Sequence, residues 1–249
     1  MKQKQRNIRL TLEYDGLNYC GWQRLPDKKH TLQGRLEYII SQVTGEEIEI
    51  TGAGRTDKDV HALGQVANFK TISPLSLKEI EEGIDALLPK DIRIISAEIV
   101  PDRFHARLHA KMKEYVYQVW NAPEKNVFER HYFYHIPQPL DIGLMEQAKA
   151  YFTGTRDFKN FTAMKSKDKS TVKTIESIDI SVQGSKVFLT FKGEGFLHKM
   201  VRIIAGTLIE VGLKEKTLED VKDMFDKPSR VTSGFTAPAH ALFLKKVFY

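Results

Sequence analysis

Residues 7–14 place Ile8, Leu10, Leu12 and Tyr14 at alternate positions, which predicts a half-buried strand, and the turn pair Asp15-Gly16 ends it. A loop with Tyr19, Trp22, Gln23 and Arg24 follows. Thr31 is placed to cap a helix in which Leu32, Leu36, Ile39, Ile40 and Val43 keep helical spacing until Gly45 stops it. Ile48 and Ile50 alternate as a strand running into the polar connection that begins at Gly52, and a second strand with Val66 and Phe69 leaves it. Ser76 and Glu79 have the spacing of a capping box for a second helix, with Leu77, Ile80, Ile84, Leu87 and Leu88 facing inward and Pro89 just beyond. A strand over Ile92–Val100 closes this half.

The order strand, helix, strand, strand, helix, strand then repeats. Tyr115–Trp120 reads as a strand, and after Pro123, Pro137 and Pro139 a helix carries Ile142, Met145, Ala148 and Phe152 to Gly154. A strand near Ile175–Val182 turns at Gln183-Gly184 into Val187–Phe191. Gly193 and Gly195 precede a helix holding Met200, Val201, Ile204, Leu208 and Val211, a shorter helix starts at Thr217 with Asp220 in a box-like position, and the last strand covers Leu242–Tyr249. Two such split β-α-β halves predict an α+β protein with two similar ferredoxin-like subdomains, each an antiparallel sheet covered by helices. The expected boundary puts residues 1–104 in the first subdomain and residues 105–249 in the second.

A chain of 249 residues buries on the order of 70–75% of its unfolded surface, enough for a core without staples. The single cysteine, Cys20, excludes an internal disulfide and any multi-cysteine metal site. Met1 to Arg9 is basic but no apolar segment follows it, and no later apolar run is long enough to span a bilayer, so the expected location is cytoplasmic, with no membrane partner. Lys and Arg outnumber Asp and Glu by 38 to 32, a formal charge of +6 that favours a polyanionic partner. Arg103, Arg107, Lys111 and Lys113 cluster with His105 and His109, and a second concentration holds Lys165, Lys167, Lys169 and Lys173. Such runs are either solvated faces or the lining of a positively charged groove for an elongated polyanion.

The segment from Gly52 to Asn68 concentrates the candidate chemistry, because Arg55, Asp57, Asp59 and His61 crowd one connection between two strands. It lacks the third glycine and following helix of a dinucleotide loop, nothing in the chain matches a P-loop or a Gly-x-Ser-x-Gly elbow, and the histidines have no HExxH frame. Asp57 is either a turn-forming residue or a catalytic carboxylate; Arg55 is either a surface cation or a phosphate ligand; His61 is either a structural hydrogen-bonding group or a base. Tyr115 and Tyr117 share one strand face, so at least one belongs to the core, and a tyrosine exposed there beside basic residues is a candidate stacking platform for a base. Arg202 sits among apolar neighbours at helical spacing, which implies a partly buried cation that needs an anionic partner.

At these residues the chain resembles the tRNA pseudouridine synthase A family. The matching blocks are Tyr14-Asp-Gly with Gly21-Trp-Gln, the connection Gly54-Arg-Thr-Asp-x-x-Val-His-Ala-Leu-Gly-Gln-Val-Ala, Phe104-His-Ala-Arg with Lys113-x-Tyr-x-Tyr, Gly195-Phe-Leu-His-x-Met-Val-Arg, and Ala237-Pro-Ala leading to Val247-x-Tyr249. They run in family order over nearly the whole chain. The resemblance implies a pseudouridine synthase fold and a cofactor-free isomerase that converts uridines at positions thirty-eight to forty of the tRNA anticodon stem-loop to pseudouridine, acting as a homodimer with tRNA in positively charged clefts. It assigns Asp57 as the catalytic aspartate, Tyr115 as the tyrosine that stacks on the target base, Arg55 as the arginine of base flipping, and Arg202 as the cation paired with the aspartate. His61, Arg103, Arg107 and Lys113 complete the expected substrate-binding set, and the second subdomain is expected to complete the site. A noncatalytic tRNA-binding paralogue on the same scaffold is the alternative, motivated by Asp59, which stands where the family usually has glycine. Asp is among the less costly residues there if the position takes a positive φ.

Overall fold

A computed structural model describes residues 4–26, 30–164, 170–226 and 233–249. In chain order it contains β1 (Arg6–Tyr14), α1 (Leu32–Thr44), β2 (Thr51–Gly52), β3 (His61–Thr71), α2 (Leu77–Leu87), β4 (Ile92–Val100), β5 (Met112–Asn121), β6 (Tyr134–Ile136), α3 (Ile142–Lys149), β7 (Gly154–Asp157), β8 (Val172–Gln183), β9 (Lys186–Gly193), α4 (Met200–Gly212), α5 (Leu218–Asp226) and β10 (Leu242–Phe248). Two compact units result, one made of Met1–Lys111 with Phe243–Tyr249 and the other of Met112–Leu242. The expected division at residue 104 therefore differs from the observed units in two ways: the segment before β5 stays with the first unit, and the C-terminal strand returns to it. The reason is hydrogen bonding, since β10 pairs in parallel with β3 and the Lys111 N–H donates to the Phe248 carbonyl at 2.8 Å.

In the first unit the strand order is β4-β1-β3-β10, with β1 antiparallel to both neighbours and β2 paired with β3. Ile8, Leu10, Leu12 and Tyr14 are buried, as the alternation of β1 predicts. Thr31 caps α1 through its side chain on the Gly34 N–H, and Gly45 closes the helix with φ 73° and an N–H bond to Ser41. The Ser76/Glu79 capping box of α2 is complete in both directions. Leu87, expected to face inward, is 46% exposed, because α2 buries only the Ile80 and Ile84 stripe. The strand expected through Ile48 and Ile50 shrinks to Thr51–Gly52. Its backbone instead bonds to side chains of α1, the Ile48 N–H to Ser41 Oγ (3.0 Å) and the Ile50 N–H to the buried Glu37 carboxylate (3.1 Å). Arg24 balances that carboxylate at 2.9 Å.

In the second unit the order is β5-β9-β8-β7, antiparallel throughout, with the short β6 added in parallel to β5. Gly184, at φ 59°, makes the β8–β9 turn expected at Gln183-Gly184. Helix α4 is buried nearly all round, from Met200 to Gly212, so it is an interior helix and not an amphipathic cover. Beside it Phe152, Phe158 and Phe161 are fully buried and meet the Phe225 ring of α5 edge-on or tilted. Thr217 and Asp220 exchange hydrogen bonds at the start of α5, the box predicted from their spacing. Both units mix helices with antiparallel sheet, the α+β class that the periodicity predicts. Among the described residues no helix is long and apolar enough to cross a membrane. Of the second lysine concentration, Lys165, Lys167 and Lys169 lie outside the described residues, and Lys173 is a half-buried residue of β8.

Candidate active site

Asp57 lies on the connection between β2 and β3, which is held by β3 and by the loop after β1. Residues 51–54 run antiparallel to β3, with the Ala53 N–H on the Val66 carbonyl at 2.7 Å and Gln65 Nε2 on the Gly54 carbonyl at 2.9 Å. The chain then turns through 57–60, where the Val60 N–H donates to the Asp57 carbonyl at 3.3 Å. Asp59 takes φ 65° in that turn. The left-handed conformation disfavours most side chains and is tolerated by Asp, so the position does need what glycine supplies, and Asp59 supplies it at modest cost.

The loop after β1 closes on this turn. Gly21 has φ 96°, and a Cβ there would stand 2.8 Å from the Thr56 carbonyl oxygen and 3.1 Å from the Asp57 carbonyl carbon. Only glycine lets the two backbones approach so closely. The Trp22 N–H uses that approach to donate to the Thr56 carbonyl at 3.0 Å, and the Trp22 ring packs on Gly52, where a Cβ would come within 2.6 Å of it. Below the turn, Thr56 Oγ1 and the Tyr14 hydroxyl lie 2.9 Å apart in the core. Gly16 abuts Val60 just as tightly, with a Cβ position 2.1 Å from the Val60 carbonyl. Tyr14, Gly16, Gly21 and Trp22 belong to the first sequence block and grip the second. Asp57 itself is half-buried and Arg55 is exposed.

His61 is 1% exposed and stacks on Phe243 with ring centroids 4.6 Å apart. Its Nδ1 accepts the Gly16 N–H at 3.1 Å, and Asp15 Oδ1 is also 3.1 Å from that nitrogen. The placement is that of a structural histidine fixing the Asp15–Gly16 turn. Asp91, with no distinguishing sequence signal, anchors the same loop. Its carbonyl takes the Asp15 N–H at 2.9 Å and its carboxylate takes the Tyr19 hydroxyl at 2.7 Å. Burial and that carboxylate push the Tyr19 phenol well above its ordinary pKa, so it remains a donor.

Arg103 and Arg107 are exposed on the segment after β4, at the other end of β3. In the second unit Lys113 is half-buried at the start of β5, opposite Gly193. Tyr115 is 8% exposed, opposite Phe191, with its ring edge-on to Phe196 at 5.3 Å. Tyr117, at 0% exposure, is buried as well, so both tyrosines of the pair lie in the core, and burial raises the Tyr117 phenol pKa. Arg202 is half-buried on the first turn of α4. Its Nε donates to the Ala237 carbonyl at 2.7 Å and its own carbonyl accepts the Ala237 N–H at 3.2 Å, joining the fourth and fifth sequence blocks. Gly206 lets Phe235 lie against α4, where a Cβ would be 2.1 Å from the Phe235 carbonyl. Among the described residues no group of three or more His, Cys, Asp or Glu side chains could hold a metal ion.

A sequence model described as tRNA pseudouridine synthase matches residues 11–108 and 148–249. The chain is 43% identical over 245 residues to tRNA pseudouridine synthase A 2 of Clostridium tetani, covering 98% of this chain and 99% of that one. It is also 43% identical to tRNA pseudouridine synthase A of a Bacillus species, strain KSM-64, with 98% and 99% covered. Against tRNA pseudouridine synthase A 2 of Clostridium perfringens the identity is 43%, with 98% and 100% covered. The two matched spans carry the Asp57 connection, the Arg103–Arg107 segment and Arg202, and on these findings the chain belongs to the tRNA pseudouridine synthase family.

Proposed function

We propose that this protein isomerises uridine to pseudouridine in tRNA, at positions thirty-eight to forty of the anticodon stem-loop, with Asp57 as the catalytic carboxylate. Family membership supports the reaction class, and the backbone grip on the Asp57 turn by Gly21 and Trp22 is the observation that supports the residue. Main-chain contacts that fix the backbone bearing a carboxylate restrict where that carboxylate can stand, and catalysis at a sugar carbon requires such placement.

The reaction breaks the bond from N1 of uracil to C1′, rotates the base and joins C5 to C1′ while the C5 proton leaves for solvent and N1 gains one. Atoms balance without a redox or group-transfer cofactor. Asp57 either attacks C1′ or removes the 2′ proton. The target base leaves its stack at a cost of a few kcal/mol, which the exposed Arg55 offsets by occupying the vacated space. Tyr115 and Arg202 keep the roles that the resemblance gives them, stacking on the base and supplying positive charge for the aspartate. Arg103, Arg107 and Lys113 contact phosphates, His61 acts from the core by holding the Asp15–Gly16 turn, and two copies of the chain form the working homodimer.

Incubation with an unmodified tRNA transcript, followed by pseudouridine mapping and intact-mass measurement, tests the reading. The expected result is pseudouridine at one or more of the three positions with unchanged mass, and none from the Asp57→Asn variant, which still binds tRNA. Binding without product from the unaltered protein would favour the noncatalytic paralogue. A mass change would point to a different uridine modification.

A further inference from the structure

The segment between β4 and β5 is braced far more heavily than an exposed basic loop requires. Two buried asparagines start the brace, with Asn68 Nδ2 donating to Asn7 Oδ1 at 2.9 Å. Asn7 Nδ2 is directed at the carbonyls of Pro101, Asp102 and Phe104 (3.2, 3.3 and 2.8 Å), and Asn68 Oδ1 accepts the Ala106 N–H at 2.8 Å. From the far end of the chain, the half-buried Tyr249 donates its hydroxyl to the Ala106 carbonyl at 2.7 Å. The Arg9 guanidinium lies over both the Phe104 ring (5.8 Å) and the Tyr249 ring (5.5 Å). Within the segment, His105 Nδ1 accepts the N–H groups of Arg107 and Leu108, both at 3.2 Å. What this frame holds outward is Arg103 and Arg107, both exposed.

The position is as specific as the bracing. Ala62 pairs with Tyr14 beside Thr56, whereas Asn68 lies six residues further along β3. At about 3.3 Å per residue the braced segment therefore sits roughly 20 Å along the strand from the Asp57 turn. Residues at that distance do not touch the reacting sugar.

We propose that residues 101–109 form a preset phosphate-gripping platform, held at a fixed distance from Asp57, with Tyr249 as the positioning residue that locks it. The inference rests on the RNA-modifying reading above. A platform shaped before the RNA arrives loses less conformational entropy on binding, so its locks act on affinity and leave the chemical step alone. Arg107 supplies charge to the platform and Tyr249 supplies only shape, which gives the two residues different signatures.

The experiment compares the full-length protein with Tyr249→Phe and Arg107→Ala, measuring kcat and KM on tRNA transcript across a salt series. The unaltered protein must first form pseudouridine; its failure to do so would count against the functional reading and not against the platform. Tyr249→Phe removes one hydroxyl and is expected to raise KM about three- to tenfold with kcat unchanged, and to keep the slope of log(kcat/KM) against log[salt]. Arg107→Ala is expected to raise KM and to reduce that slope by about one. An unchanged KM for Tyr249→Phe, or a lower kcat at unchanged KM, would overturn the proposal. So would a Tyr249→Phe salt slope that falls as far as that of Arg107→Ala.

Discussion

Arg202 and Ala237 are tied twice, the Arg202 Nε to the Ala237 carbonyl at 2.7 Å and the Ala237 N–H to the Arg202 carbonyl at 3.2 Å. The side-chain bond fixes the guanidinium relative to its own helix. A lysine at 202 keeps the charge but has no nitrogen on an inner branch to occupy that carbonyl while its terminus reaches elsewhere. Arg202→Lys is therefore expected to lose at least about tenfold in kcat, and Arg202→Met to lose turnover altogether while still binding tRNA. Single-turnover pseudouridine formation measures both, and an active Met variant would remove Arg202 from the catalytic set.

Gly21 offers a sharper test of the grip on Asp57, because two effects of one methyl group can be separated. At Gly21 an added Cβ meets both a left-handed φ of 96° and the Thr56 carbonyl at 2.8 Å. At Gly45 it meets only the left-handed φ of 73°, with nothing within 4 Å. Gly45→Ala should cost about 1–2 kcal/mol of stability and leave kcat alone. Gly21→Ala should cost more and also lower kcat, since the Thr56–Asp57 backbone has to move. Thermal unfolding and kcat on the same preparations decide this; equal kcat in the two variants would mean that the Asp57 position does not depend on the grip.

The outline of the fold was legible wherever local chemistry decides it. Thr31, Gly45, Ser76 with Glu79, Gly184 and Thr217 with Asp220 all act in the structure as their spacing predicts. Hydrogen bonds between distant residues were not legible. Glu37 draws the Ile50 N–H away from a strand partner, and β10 leaves its sequence neighbours to pair with β3. The same contrast holds at the site. Asp57 and Arg55 stood out because charged residues crowd a glycine-bounded connection, whereas Asp91 and the Asn7–Asn68 pair look like ordinary polar residues until their partners, 72 and 61 positions away, are known.

The φ of 65° at Asp59 separates its backbone role from its charge. Asp59→Asn keeps a side chain that tolerates the left-handed region and removes the carboxylate, so it should leave stability within about 0.5 kcal/mol of the parent. Asp59→Gly should be neutral or stabilising, and Asp59→Val should cost about 1–2 kcal/mol or more. Denaturant unfolding ranks the three. If all three unfold at the same midpoint, the left-handed turn is not the constraint on this position. Comparing kcat of the Asn and Asp forms then isolates the effect of a second carboxylate two residues from Asp57.

Glu210 gives a pH dependence whose sign can be worked out. It lies half-buried on α4, and its pKa is raised, chiefly by burial, against the opposing effects of Lys216, 3.9 Å away, and of the Phe235 N–H. A carboxyl whose folded pKa exceeds its unfolded value binds its proton more tightly in the folded state. Its stabilising contribution is complete below the unfolded pKa, near 4.3, and is lost as pH rises through the higher folded value. Glu210→Gln keeps an acceptor for the backbone and cannot ionise. The variant should therefore melt at a higher temperature than the parent at neutral pH, and the difference should vanish as both approach about pH 4. A difference that stays constant across that range would mean that the substitution acts through packing and not through ionisation.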